Sequence, residues 1–176
     1  VAQCGDPALP PEWRTERFAP VRFSAAQFSN AERAEMGALP FTLRVPELPD
    51  IFFCHASARS DQDNVAAYTP EETLAPMFAG IAERIIVRGH NHVAQTRLWG
   101  TRKIITTGSV GLPLDHNPAA QYLLMTKRGT NWHIAHQVTP YDLDLARRRF
   151  YDSGYMAEAG SAARLCLREV LTASFH

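Results

Sequence analysis

Apolar residues along this chain fall into short runs rather than one long stripe, and the spacing of those runs changes twice. Through the middle, residues 41–45, 51–54, 85–88, 93–98, 103–107, 121–126 and 132–138 are short, β-prone segments bounded by turn residues, which predicts strands. Trp99-Gly100-Thr101-Arg102 and Arg128-Gly129-Thr130-Asn131 predict hairpin loops between the strands that flank them. Before and after this centre, and once within it, the patterning is helical. Ser29-Asn30-Ala31-Glu32 is a capping-box sequence opening a helix that ends near Leu39, ahead of Pro40. Thr69-Pro70-Glu71-Glu72 predicts a second start, with Thr69 as N-cap, and a helix reaching about Ala79 with a kink at Pro76. Asp142 is placed to cap a helix through Arg147-Arg148-Arg149 that Gly154 ends, and residues 157–171 are amphipathic. Pro7, Pro10, Pro11 and Pro20 argue against a long regular element over residues 1–21, and residues 56–68 form a polar loop.

Composition narrows the class without choosing the function. The chain has 176 residues, one domain's worth, with 45% hydrophobic and 20% charged residues. Eighteen basic residues balance eighteen acidic ones, so no global charge attracts a nucleic-acid polymer or a membrane surface. No apolar run approaches the roughly 20 residues that span a bilayer. Three arginines in a row on a helix spread around its circumference, with Asp142, Asp144 and Asp152 near them, and predict a solvated face. The three cysteines, Cys4, Cys54 and Cys166, are far apart with no C-x-x-C pair, which argues against a thiolate zinc site and suits a reduced, cytoplasmic protein. Strand alternation points Cys54 away from the neighbouring histidine, into packing.

The candidate chemistry lies at the ends of two predicted strands. Arg84-Ile85-Ile86-Val87-Arg88-Gly89-His90-Asn91-His92 is an apolar strand running into a glycine and two histidines one residue apart. If the backbone stays extended through Asn91, His90 and His92 point to one side, and Gly89 supplies a turn that other residues resist. Neutral imidazole suits Zn, Mn, Fe and Ni alike. Pro49-Asp50-Ile51-Phe52-Phe53-Cys54-His55-Ala56-Ser57 repeats the design with His55, and open α/β sheets gather their chemistry at the carboxyl ends of strands. A third strand enters the turn Thr107-Gly108-Ser109-Val110-Gly111-Leu112-Pro113. Arg59, close behind His55, is a candidate phosphate-binding cation, and His116 sits in a loop placed to rim a pocket. His133 and His136 are three apart, on opposite faces of a strand, and are expected to be partly exposed strand residues.

The order of these three motifs resembles the calcineurin-like metallophosphoesterases, and within them the small bacterial single-domain branch. The resemblance covers about residues 20 to 155, from a helix spanning residues 22–40 to Val138-Thr139-Pro140-Tyr141-Asp142 and the basic helix after it. It implies an α/β fold: a metallophosphoesterase-like β-sandwich flanked by helices, of which residues 1–176 form a single domain representing the C-terminal portion. Residue by residue, His55 matches the family's fourth metal-binding motif and His90 and His92 its fifth. By that match His55 and His90 ligate one ion and His92 the other, while Asn91 fills a variable, structural slot. The resemblance implies two divalent ions, Mn, Zn, Fe or Ni, about 4 Å apart, activating a water for in-line attack on a small-molecule phosphoester.

The family's opening D-x-H and G-D-x-x-D motifs have no counterpart in this chain. The nearest match to its G-N-H-D/E motif is Val1-Ala2-Gln3-Cys4-Gly5-Asp6, where only Asp6 agrees. One expectation is that the chain is the histidine-donating part of a phosphatase or phosphodiesterase whose carboxylates lie elsewhere. The alternative is a catalytically silent remnant that serves as a binding or dimerisation module, and a homodimer would then cover its exposed sheet edge.

Overall fold

The structure, a computed structural model, describes residues 11–176. Cys4 and the partial motif match at Val1–Asp6 lie outside the described residues. The described residues divide into two compact units, one built from residues 11–39, 142–171 and 176, the other from residues 40–141 and 172–175.

The second unit holds a five-stranded sheet in the order β1-β2-β3-β5-β4. Its strands are β1 (Thr42–Arg44), β2 (Ile51–Cys54), β3 (Ile85–Arg88), β4 (Ala94–Trp99) and β5 (Arg102–Thr107). β2, β3 and β5 run parallel in the centre, and β1 and β4 are antiparallel edges. β2 and β3 are apolar at almost every position, and β5 is apolar at Ile104 and Ile105, because both faces of the sheet are covered. On one face Phe52, Ile86 and Ile104 pack against Val65, Leu74, Met77, Phe78 and Ile81, four of them on or just after the helix α3 (Glu71–Met77). On the other face Ile51, Ile85, Val87 and Ile105 meet Leu123, Met125, Trp132 and Ile134. Those four belong to the hairpin β6 (Ala120–Arg128) and β7 (Asn131–Thr139). Alternation along β2 therefore sends successive side chains into two different cores.

Both predicted hairpin turns form, with Gly100 (φ 56°) and Gly129 (φ 60°) taking the left-handed position that a two-residue turn requires. The start of α3 differs from expectation. Pro70, not Thr69, is the N-cap, and the Thr69 hydroxyl accepts instead from the Ala66 amide at 2.8 Å, one turn earlier. α3 ends at Met77, one residue after Pro76.

The first unit is helical. The segment expected as one helix before the first strand is two: α1 (Ala19–Ala26) and α2 (Asn30–Gly37). The break falls where Ser29 competes for the backbone. Its hydroxyl caps the Glu32 amide, the Glu32 carboxylate returns to the Ser29 amide at 2.8 Å, and the capping box is complete. Asp142 caps α4 (Leu143–Asp152) through the Leu145 amide at 2.8 Å, and Gly154 (φ 82°) closes it. α5 (Tyr155–Thr172) is interrupted at Gly160 (φ 54°), beside which Ala159 and Ala163 pack with Ala19 of α1. No helix among the described residues is long and apolar enough to cross a membrane.

Candidate functional site

Because β2, β3 and β5 are parallel, their carboxyl ends open at one edge of the sheet, and each of the three sequence motifs begins there. His55 follows β2 and His90 follows β3 by two residues. The ladder between the two strands continues past their ends through the Gly89 amide, which donates to the His55 carbonyl at 2.9 Å. That bond brings the imidazoles together: His90 Nδ1 and His55 Nε2 are 3.2 Å apart, with ring planes at 78°.

Beyond Gly89 the backbone does not stay extended, which corrects the geometry expected for the pair of histidines in this motif. His90 (φ 74°) and His92 (φ 58°) both adopt left-handed conformations, and the Asn91 amide folds back to the Gly89 carbonyl at 3.1 Å. Gly89 itself needs no such freedom, since a Cβ there would meet only the His55 carbonyl oxygen, at 3.7 Å, and Nδ1, at 4.0 Å. Left-handed non-glycine residues are uncommon and persist where surrounding structure over-determines them. Here the His92 carbonyl accepts from the Leu114 amide at 3.0 Å, and the Asn91 side chain donates to the Val65 carbonyl at 2.9 Å. The Asn91 amide nitrogen thus ties the turn to the loop after His55, while its Oδ1 is buried without a hydrogen-bond partner.

Whether these residues suit a divalent ion depends on the donors they offer. Two nitrogens on one ion at about 2.1 Å stand roughly 3.0 Å apart at a right angle and roughly 3.4 Å apart at the tetrahedral angle. The His55–His90 separation lies between those limits. His92 Nδ1 is buried with no hydrogen-bond partner, an orphan of the kind that a ligand satisfies. The imidazoles therefore fit as donors. They do not complete a shell: among the described residues no group of three or more His, Cys, Asp and Glu side chains converges on a metal position. Burial, reinforced by the charges of His55, Arg88 and His92, lowers the pKa of His90 and favours the neutral, ligating form.

The remaining candidates are placed less centrally. Arg59 is held by Asp63, with Nε to Oδ2 at 2.8 Å and Nη2 to Oδ1 at 3.3 Å, and Asp63 also accepts from the Ser57 hydroxyl at 2.7 Å. Its fork is therefore occupied within its own loop. His116 Nδ1 pairs with the Ser174 hydroxyl at 2.8 Å. His133 is exposed, and His136 Nε2 meets the Thr106 carbonyl at 2.9 Å. Cys54 packs against the α3 side of the sheet, and burial pushes its thiol up to about 11.

One residue at the site carries no sequence signal beyond its charge. Arg88, the last residue of β3, is 1% exposed. Its guanidinium donates to the Ala56 carbonyl at 2.6 Å, the Thr106 hydroxyl at 3.0 Å, the Asp63 carbonyl at 3.3 Å and the Val65 carbonyl at 3.4 Å. Burial lowers its pKa to about 10, which leaves it charged at neutral pH.

No protein-family model matches the chain, and no curated protein sequence does. Solved structures do. A hypothetical protein of Pyrococcus horikoshii OT3 superposes with a TM-score of 0.74 at 12% identity, over 99% of this chain and 71% of that one. A metallophosphoesterase of Sphaerobacter thermophilus superposes with a TM-score of 0.64 at 16% identity, over 92% of this chain and 72% of that one. At these identities the likeness is one of fold: a mixed α/β arrangement of metallophosphoesterase type.

Proposed function

We propose that this chain carries the imidazole-donating part of a dinuclear metal site for phosphoester hydrolysis, as a phosphatase or phosphodiesterase acting on a small molecule. The observation that supports it most is the 3.2 Å approach of His55 Nε2 and His90 Nδ1 at the carboxyl ends of adjacent parallel strands. In this reading His55 and His90 hold one ion and His92 contributes its unpartnered Nδ1 to the other. This reading requires carboxylates from beyond the described residues, among which no three candidate ligands converge. Bound divalent ions, drawn from Mn, Zn, Fe and Ni, polarise phosphoryl oxygens and bring the pKa of a water toward neutrality. The chain's own contribution is to hold the imidazoles in place: burial favours the neutral form of His90, and the Gly89–His55 bond sets the spacing of the rings.

The test is metal content after dialysis, followed by calorimetric titration with Mn²⁺ and Zn²⁺. The parent chain is expected to bind, and His55→Ala and His90→Ala are each expected to weaken binding by about 10-fold or more. A parent that binds neither ion, nor Fe²⁺ or Ni²⁺, would sink the proposal.

A further inference from the structure

A guanidinium buried at the end of a β-strand is a costly choice if the position needs only to be filled, since an aliphatic side chain fills it without desolvating a charge. Among the described residues Arg88 makes no ion pair with a carboxylate, and its four acceptors are three backbone carbonyls and a hydroxyl. The carbonyls belong to Ala56, Asp63 and Val65, all in the segment that leaves His55 without helix or strand. Such a segment has no ladder to satisfy its carbonyls, so side chains must donate to them. Asn91 and Gln95 join Arg88 on the Val65 carbonyl, at 2.9 and 2.7 Å, and Gln95 also reaches the Thr106 hydroxyl at 3.3 Å. The donors come from β3, the turn after it and β4, and the acceptors from the His55 loop and β5.

We infer that Arg88 is a positioning residue: its planar fork clamps the segment after His55 onto the ends of β3 and β5, and so sets the His55–His90 spacing on which metal binding depends. Ala56 is the residue next to His55, so the shortest of the four bonds acts one residue from the imidazole. Fork geometry matters more than charge, because a single ammonium cannot span carbonyls at positions 56, 63 and 65 together. The link to metal rests on the function proposed above; the clamp itself does not.

The experiment compares amide hydrogen exchange and Mn²⁺ affinity in the parent, Arg88→Met and Arg88→Lys. The Gly89 amide, bonded to the His55 carbonyl, reports the clamp, and the amides of Ile86 and Ile104, inside the β3–β5 ladder, report the sheet. In both variants Gly89 is expected to exchange about 10-fold faster relative to those sheet amides, and Mn²⁺ affinity is expected to fall about 10-fold. A parallel rise at all three amides would mean a merely structural role and overturn the inference, as would unchanged Gly89 protection. Full restoration by Lys would overturn the fork in favour of charge alone. If Gly89 loosens while Mn²⁺ affinity stays unchanged, the link to the histidines fails. A parent that binds no Mn²⁺ and none of the other ions defeats the proposed function, yet the exchange ratio still decides the clamp. Should Arg88→Met fail to fold, Thr106→Val removes one acceptor and is expected to move the same ratio by about 3-fold; no movement would overturn the inference.

Discussion

His90 and His92 show how much of a site is settled by backbone angles that no residue type announces. An extended H-x-H would aim both rings to one side, whereas two left-handed residues separated by Asn91 turn the chain sharply and leave only His90 against His55. Asp63 shows the same scale in electrostatics. The hydrogen bond from Arg59, helped by that from Ser57 and opposed by burial, lowers the Asp63 pKa. A carboxyl whose folded pKa lies below its unfolded value of about 3.9 contributes stability above that value. That contribution is lost as pH falls through the folded pKa. Asp63→Asn is therefore expected to be less stable than the parent at pH 7 and to lose less of its remaining stability on acidification from about pH 5 to about pH 3. Urea midpoints at the two pH values measure this, and parallel pH profiles would contradict it.

At the scale of elements, local chemistry and tertiary demand agree in some places and part in others. The capping box of α2 is fully formed, with Ser29 and Glu32 each satisfying the other's backbone amide. Ser29→Ala is expected to cost about 1 kcal/mol, read from the denaturant midpoint with the slope unchanged. Thr69, by the same rule, should have capped α3. Its hydroxyl serves the Ala66 amide instead, because that stretch of loop has no ladder partner of its own. The break between α1 and α2 was written in the same capping box, although the resemblance pointed to one helix. At Gly108 (φ 83°) an added Cβ would lie 2.2 Å from Gln121 Oε1. The turn after β5 thus depends on glycine for both its angle and its room.

For the whole molecule, the balance of eighteen basic and eighteen acidic residues and a pI near 7.2 set the colloidal behaviour. Solubility of this chain is expected to be lowest near pH 7, where its net charge is close to zero, and to rise on acidification as the net charge becomes positive. Precipitant-induced solubility across that range tests it, and a minimum displaced well into the acid range would contradict the charge count. The architecture of the second unit answers to a different balance. Its sheet is buried on both faces, by α3 and by the β6–β7 hairpin, so the parallel strands at its centre carry the site at their ends rather than on a face.

Much of this was determined by the sequence alone. Strand and helix positions follow from apolar periodicity, turn glycines and caps, because these act over a few residues and are visible in a line of text. The grouping of chemistry at the carboxyl ends of β2, β3 and β5 follows from the same pattern once the strands are parallel. Tertiary structure alone decided which partners these residues found. Arg59 was the arginine that sequence singled out, and it is spent on Asp63. Arg88, which sequence did not single out, is the buried hub of the loop. A side chain's reach exceeds the distance over which sequence spacing fixes its neighbours. The partners of Arg88 lie 18 to 32 positions away along the chain, so only the folded sheet brings them within hydrogen-bonding distance.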